Sequence, residues 1–313
     1  MAVVITGGAG FIGPVLTNEF LAAGYKVISF DRAAPSEKFQ RAWGDRVTCV
    51  QGDIRDRELV RSLIKEGGAD PIVHLAGILT AGCDRDPDLA LAVNVHGAHT
   101  VLEAAREFGL RRVVVASTIG VYGQNLPQPI KESWPTEPDG WYGLTKLMAE
   151  QMGLLYQRRY GLDFRAVRFA AVTGPGRTAG SGSASLFTSF IPEMAARGVP
   201  YSIEVEPDVV YPVVYIKDAA SALFKLATVE KAPRRIYNIG SGRIVTSELV
   251  AAVKARIPEA QFTYKPDPVI MAVVRGYRDW IIDCTAAAED LGWRPSFTTE
   301  QMVDDIINTV RQG

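Results

Sequence analysis

Val3-Val4-Ile5-Thr6-Gly7-Gly8-Ala9-Gly10-Phe11-Ile12-Gly13-Pro14 is the stretch on which the fold turns. An apolar run enters glycines at 7, 10 and 13, and the helical pattern Val15, Leu16, Phe20, Leu21 follows. Small residues are needed where a chain turns from strand to helix, approaches a pyrophosphate and lets helix and strand pack closely. Pro14 falls in the first helical turn, where a missing N–H costs little. A tight strand-to-helix turn with no ligand reads the same way, so the motif gains weight only from its surroundings.

A second apolar run at 26–30 completes a β-α-β unit, and Asp31 ends it. An acid there accepts hydrogen bonds from an adenosine ribose and repels a 2′-phosphate, which favours NAD over NADP. Arg32 pulls the other way, because an arginine accommodates that phosphate. Further strand-like runs at 47–51, 72–76, 113–117 and 164–169 alternate with amphipathic helical stretches. Such alternation predicts a parallel sheet with helices on both faces.

The expected fold is therefore α/β, a Rossmann doubly wound parallel sheet. Residues 1–170 form the dinucleotide-binding domain, to which some later segments return, and residues 171–313 mainly form a smaller α/β substrate-binding lobe. Residues 174–182, rich in Gly, Ser, Thr and Pro, read as a cleft wall. Residues 185–197, 217–226 and 246–255 read as helices, and 213–216 and 235–239 as strands. Asp283 reads as the N-cap of a helix at 286–291 that Gly292 ends.

The bulk composition narrows the function classes. Hydrophobic residues make up 47% and charged residues 22% of the 313, with a formal net charge of -1. That is globular composition without an electrostatic footprint for nucleic acid or an anionic membrane, so the expected partner is a small molecule. Cys49, Cys83 and Cys284 lack paired metal-ligand spacing, and His74, His96 and His99 are too dispersed for a metal cluster. With no basic leader and no membrane span, the expected location is the cytoplasm.

Tyr142-Gly143-Leu144-Thr145-Lys146 opens a helical stretch, placing Tyr142 and Lys146 one turn apart on one face. An ammonium beside a phenol stabilises the phenolate and brings its pKa towards the range of a general base. The spacing alone is common in amphipathic helices. Ser117 and Thr118 end a strand at the sheet edge where open α/β folds bind ligands, and either hydroxyl can meet a reacting oxygen or only solvate the strand end.

Taken with Gly52-Asp53-Ile54, Leu75-Ala76-Gly77, Asn94, residues 118–123 and Leu291-Gly292-Trp293, these motifs resemble the extended short-chain dehydrogenase/reductase family, also called the NAD-dependent epimerase/dehydratase family. The resemblance covers essentially the whole chain. It implies that Tyr142 is the acid/base, that Lys146 holds the nicotinamide ribose and lowers the tyrosine pKa, and that Thr118 orients the substrate oxygen. It places Gly7, Gly10, Phe11, Ile12, Gly13, Asp31 and Arg32 on the cofactor, Asp53 and Ile54 at the adenine, and Leu75, Ala76, Gly77 and Phe169 along it. Asn94 is implied as a supporting polar residue, and a homodimer through helices that include the one bearing Tyr142 is the expected assembly.

The departures matter too. Dehydratases of the family carry an acidic pair after the catalytic Thr, where this chain has Ile119 and Gly120. Its nucleotide-sugar enzymes have an Asn and an Arg where this chain has Ala171 and Tyr211. The substrate is thus expected to be small and without a nucleotide handle: a sugar, sugar acid, polyol or amino alcohol. Pocket candidates are Thr80, Ser117, Thr118, Ser181, Ser183 and Ser185, with Arg177 as a partner for a carboxylate; the serine-rich stretch reads equally as simple flexibility. Residues 257–259, 262–264 and 215–219 are more loosely similar to short-chain-type L-threonine dehydrogenases. The leading expectation is an NAD-dependent dehydrogenase of a secondary alcohol. An epimerase that retains NAD and oxidises transiently uses the same residues, and a non-catalytic NAD-binding protein stands as the third reading.

Overall fold

The computed structural model describes residues 1–68, 70–178, 183–277 and 279–312. Its strands are β1 (Ala2–Thr6), β2 (Lys26–Asp31), β3 (Val47–Gln51), β4 (Ile72–His74), β5 (Arg112–Thr118) and β6 (Asp163–Phe169), followed by β7 (Ala171–Thr173), β8 (Tyr201–Ile203), β9 (Val210–Tyr215), β10 (Ile236–Ile239), β11 (Gly242–Val245) and β12 (Phe262–Tyr264). Seven of them form a sheet in the order β10-β6-β5-β4-β1-β2-β3, parallel throughout. This is the Rossmann-like arrangement, in which the chain runs outward from β1 to β3, then returns to the other side of β1 with β4.

Period-2 alternation explains why both sheet faces are covered. Val3, Ile5, Val73, Val114 and Val167 belong to one apolar cluster, and Val4, Ile72, Val113, Val115 and Ala166 to the other. The first cluster continues without a break into Phe187, Tyr211, Val213, Ile244 and Val303, so the later part of the chain shares a core with the sheet. β10 joins the seven-stranded sheet beside β6, whereas β11-β9-β7 and β12-β8 make two small sheets of their own. Burial on the scale of these clusters stabilises by about 25 cal/mol per Å² of apolar surface.

The helix at Gly13–Ala22 follows the glycine turn, with Pro14 at its start. The expected helix over 286–291 is observed at Thr285–Leu291, where Asp283 Oδ1 accepts from Thr285 N at 2.8 Å and Gly292 closes the end in the left-handed conformation, although Cys284 occupies the capping position itself. The 185–197 stretch forms a helix at Leu186–Ala196. Unpredicted elements include a π-helical turn at Leu91–His96, the helices Pro268–Arg275 and Thr299–Arg311, and the short strands β7, β8, β11 and β12.

At the switch point between β1 and β4, Thr6 Oγ1 and His74 Nδ1 lie 2.7 Å apart. Burial keeps His74 neutral, its pKa lowered to about 3. β1 and β4 stay paired to their last residues, Thr6 and His74, and the crevice beyond those C-terminal ends is where ligands bind in open α/β sheets.

Candidate active site

The glycine turn lies in that crevice. Gly7 has a φ of +73°, and a Cβ there would stand 2.7 Å from Ala76 N, so only glycine lets the turn lie against the segment after β4. Gly7 N and Gly8 N donate to the Phe30 carbonyl at 2.8 and 3.2 Å. Ala9 N donates to Asp31 Oδ2 at 3.1 Å, and Ala33 N to Asp31 Oδ1 at 3.1 Å. The carboxylate is thus tethered at the end of β2, with acceptor capacity left over for ribose hydroxyls. Gly10, Phe11, Ile12, Asp31 and the exposed Arg32 border one cavity of about 620 Å³. Gly13 does not; it packs on the turn itself, where a Cβ would lie 2.6 Å from the Gly7 carbonyl oxygen.

Leu75, Ala76 and Gly77 form the facing wall, with Ile54 and Phe169 bordering the same cavity. Asn94 stands behind that wall: its Oδ1 accepts from Ile78 N at 2.7 Å, and its Nδ2 donates to the Ile78 carbonyl at 3.1 Å and to Thr145 Oγ1 at 3.0 Å. It is a support for the loop and not a cavity wall. Asp53 departs from expectation. Its carboxylate is gripped by Arg55 through Nε at 3.0 Å, Nη2 at 2.7 Å and the backbone N at 2.9 Å, and it does not border the cavity, whereas Ile54 does.

The reaction end is assembled by a helix pressed against the sheet. The helix Trp141–Tyr160 makes its tight contact at Gly143, where a Cβ would come within 2.0 Å of the Gly120 carbonyl oxygen. This closeness brings Tyr142 up to Thr118 at the end of β5, and both border the cavity. Thr118 Oγ1 accepts from Gly120 N at 3.0 Å, which leaves its own hydrogen for a ligand oxygen. Lys146 is buried and donates to the Ala116 carbonyl at 3.0 Å. Burial lowers its pKa to about 8.

Two expectations are corrected here. Burial pushes the Tyr142 phenol above its ordinary value; Cys83 and Tyr277 add to that rise, and Arg177, not Lys146, is the cation pulling it down. The reason is that the lysine ammonium points inward to the backbone. Ser117 borders the cavity but is only 3% exposed, and its hydroxyl donates to Glu150 Oε1 at 2.5 Å, so its hydrogen is committed to a buried network and is not free for a substrate oxygen. Glu150 in turn accepts from Arg168 Nη2 at 2.7 Å, and Arg168 Nη1 donates to Tyr122 Oη at 2.9 Å. Glu150 follows Lys146 by one helical turn, a spacing from which its inward orientation was legible.

On the remaining side, Thr80, Arg177, Ser183 and Ser185 border the cavity. Arg177 donates to the Val172 carbonyl at 2.7 Å, to Ser185 Oγ at 3.1 Å and to Ser183 Oγ at 3.0 Å, and its guanidinium stacks on Phe11 at 5.0 Å. The two serines thus hold the arginine. Ser181 lies outside the described residues. Tyr211 and Tyr277 complete the wall, with ring centroids 5.7 Å apart. No motif in the sequence marked Tyr277, which the fold brings from the C-terminal part to within 3.1 Å of where a Cβ on Gly120 would be. Among the described residues no cluster of His, Cys, Asp or Glu is placed to hold a metal, and no helix is long and apolar enough to cross a membrane.

A dinucleotide fits this arrangement: a turn that only glycine permits, an acid at the end of β2, and an elongated crevice ending at Tyr142. Residues 3–240 match the sequence profile of the NAD dependent epimerase/dehydratase family. The chain is 31% identical to the mitochondrial L-threonine 3-dehydrogenase of Bos taurus, over 98% of this chain and 82% of that protein. The crystal structure of L-threonine dehydrogenase from Phytophthora infestans superposes with a TM-score of 0.89 at 30% identity, covering 100% of this chain and 99% of that one. A UDP-glucose 4-epimerase from Thermotoga maritima superposes with a TM-score of 0.86 at 26% identity, covering 100% and 99%. The chain belongs to the NAD-dependent epimerase/dehydratase family; it is an NAD-dependent enzyme of the extended short-chain dehydrogenase/reductase type.

Proposed function

We propose that this enzyme is a dehydrogenase that oxidises a secondary alcohol of a small polar substrate, with Tyr142 as the general base. The observation that carries the reading is the convergence of Thr118, Tyr142 and Lys146 at one end of the cavity whose other end holds Asp31. Full-length similarity to proteins named L-threonine 3-dehydrogenase supports it, since threonine bears a secondary alcohol at that carbon.

Bound NAD supplies the hydride acceptor. Gly7, Gly10, Phe11, Ile12 and Asp31 hold it along the crevice, and Leu75, Ala76, Gly77, Ile54 and Phe169 wall it in. Thr118 donates its hydroxyl hydrogen to the substrate oxygen and fixes the carbinol carbon. Tyr142 Oη, as the phenolate, takes the hydroxyl proton as the carbonyl forms. Lys146 contributes a donor for the ribose, and Arg177 is the cation that favours the Tyr142 phenolate against its burial. A positioned base of this kind contributes about 10²–10⁴ in rate.

Tyr211 and Ala171 offer no cation or amide for a sugar diphosphate, which favours net oxidation of a small substrate over nucleotide-sugar epimerisation. Assembly as a homodimer is part of the same reading. Trp141, Leu144, Met148 and Leu155 are 38–40% exposed along one side of the Tyr142 helix, an apolar stripe suited to a second copy.

The test is NADH accumulation across a panel of sugar acids, aldoses, polyols and amino alcohols. Stoichiometric NADH with product, abolished on the order of 10³-fold by Tyr142→Phe, is the expected result. Undiminished turnover in that variant removes Tyr142 from the chemistry. Product formed without net NADH assigns the redox-neutral epimerase.

A further inference from the structure

Arg112, Arg165 and Arg168 are each at most 4% exposed, and each is ion-paired, to Asp163 or Glu150. Arg177 differs. It is partly buried in the cavity wall and among the described residues has no acidic partner; its three hydrogen bonds go to a carbonyl and two serine hydroxyls. A guanidinium has five N–H donors, so two remain open. Burial without a counter-ion lowers its pKa to about 10, still a cation at neutral pH. Stacking on Phe11 and the grip of Ser183 and Ser185 fix it as a rigid fork, the geometry that matches a carboxylate.

The neighbouring groups agree in chemistry. The Tyr211 and Tyr277 hydroxyls have no hydrogen-bond partner among the described residues, and both rings border the cavity beside Arg177. Arg85, exposed at the rim, adds a second positive charge. The only acid among the described wall residues is Asp31, tied to the glycine turn at the β2 end. Residues 179–182 carry no charged side chain in the sequence. An ammonium at the reaction end would meet Arg177 and Lys146 with no carboxylate bordering the cavity there to pair with it; Asp84, Asp139 and Glu150 act only from behind the wall, on Cys83, Tyr277 and Lys146.

Building on the dehydrogenase reading, we infer that the substrate is a small hydroxy acid without an amino group, its carboxylate seated on Arg177 between Tyr211 and Tyr277, and that the site discriminates against zwitterions such as L-threonine. The reaction balances as follows: the carbinol C–H bond breaks with its electron pair passing to NAD, the O–H proton passes to the Tyr142 phenolate, and a keto acid and NADH leave. Arg177 binds the carboxylate and takes no part in the proton transfer.

Three compounds of one carbon skeleton test this: 2,3-dihydroxybutyrate, L-threonine, which replaces its 2-hydroxyl by an amine, and butane-1,2,3-triol, which lacks the carboxylate. Each is titrated into the protein–NADH complex, with NADH fluorescence as the readout. The expected result is that 2,3-dihydroxybutyrate binds at least about tenfold tighter than either other compound, one charge-assisted contact's worth. Arg177→Met erases that preference with NADH affinity unchanged, and Arg177→Lys keeps part of it. Equal or tighter binding of L-threonine, a preference that survives Arg177→Met, or no binding by any of the three overturns the inference. A fall in NADH affinity in Arg177→Met assigns the guanidinium to the cofactor and overturns it as well. Turnover is read separately: binding preference intact but no NADH formed from any alcohol sinks the dehydrogenase reading and leaves the anion subsite standing.

Discussion

Lys146 Nζ lies 5.8 Å from the centroid of the Tyr142 ring and gives its hydrogen bond to the Ala116 carbonyl at 3.0 Å. The cation therefore underlies the ring while its donor is held by the sheet, and the ammonium sits at the cofactor's edge of the cavity, 3.2 Å from where a Cβ on Gly77 would be. Its charge is expensive to keep there. Burial disfavours the ammonium and brings its pKa from 10.5 down to about 8.

NADH affinity should consequently fall as pH rises through about 8, by up to about tenfold per unit, because the amine loses the charge that the cofactor's ribose and phosphates favour. Fluorescence titration on either side of that pH should show the dependence in the wild type and a flat, weaker profile in Lys146→Met. The stability linkage has the opposite sign. Between about 8 and 10.5 the unfolded chain keeps a proton that the folded chain has released, so this group favours folding more as pH rises through that window.

Asp31 should set the cofactor choice. Its carboxylate is tethered by Ala9 N at 3.1 Å and stands beside the exposed Arg32. Asp31→Ser removes the repulsion of a 2′-phosphate and leaves Arg32 to attract it. The ratio of NADPH to NADH dissociation constants should shift towards NADPH by about tenfold or more. An unchanged ratio would show that the acid does not face the ribose.

The buried pair Glu150–Arg168, 0% and 4% exposed, should behave as a single unit. Arg168→Leu strands a carboxylate in the core and should cost about 3–5 kcal/mol in chemical denaturation. Adding Glu150→Leu should recover part of that loss, because the stranded charge is gone. If the double variant is no more stable than Arg168→Leu, the charge was not the source of the cost.

The apolar stripe on the Tyr142 helix predicts an assembly. Leu144→Glu with Met148→Glu, both positions more than a third exposed, should convert a dimer to monomer in light scattering with NADH binding kept. A wild-type protein that is monomeric at micromolar concentration overturns the dimer.

Much of this molecule could be read from its chain, and the boundary of legibility has a physical cause. The glycine turn, Asp31 and the Tyr142–Lys146 spacing are local: each depends on residues a few positions apart, and the strands β1 to β6 carry apolar runs strong enough to declare themselves. Asp53 was misplaced because its partner Arg55 lies two residues on, and a short-range chelate of that kind leaves no periodic trace. Ser117 and Thr118 both border the cavity, and the sequence could not tell them apart because the bond that occupies the Ser117 hydroxyl comes from Glu150, 33 residues on. Tyr277 was invisible because its approach to Gly120 depends wholly on tertiary packing. β7, β8, β11 and β12 carry only three to four residues each and mark no period of their own.

β10 also constrains how such a protein can be made and recombined. It reaches its place beside β6 only after the chain has passed through residues 171–235, and the carbonyls of Arg235, just before it, and Ile239, its last residue, accept from Ala166 N and Ala170 N at 2.8 and 2.9 Å. A nascent chain emerged to residue 170 holds six strands of the seven-stranded sheet but presents β6 as a bare edge, a template for any passing strand. The nucleotide-binding half is thus not a detachable cassette. Grafting it onto another partner lobe requires carrying residues 236–239 along, and a translation pause before they emerge is a point of exposure to aggregation.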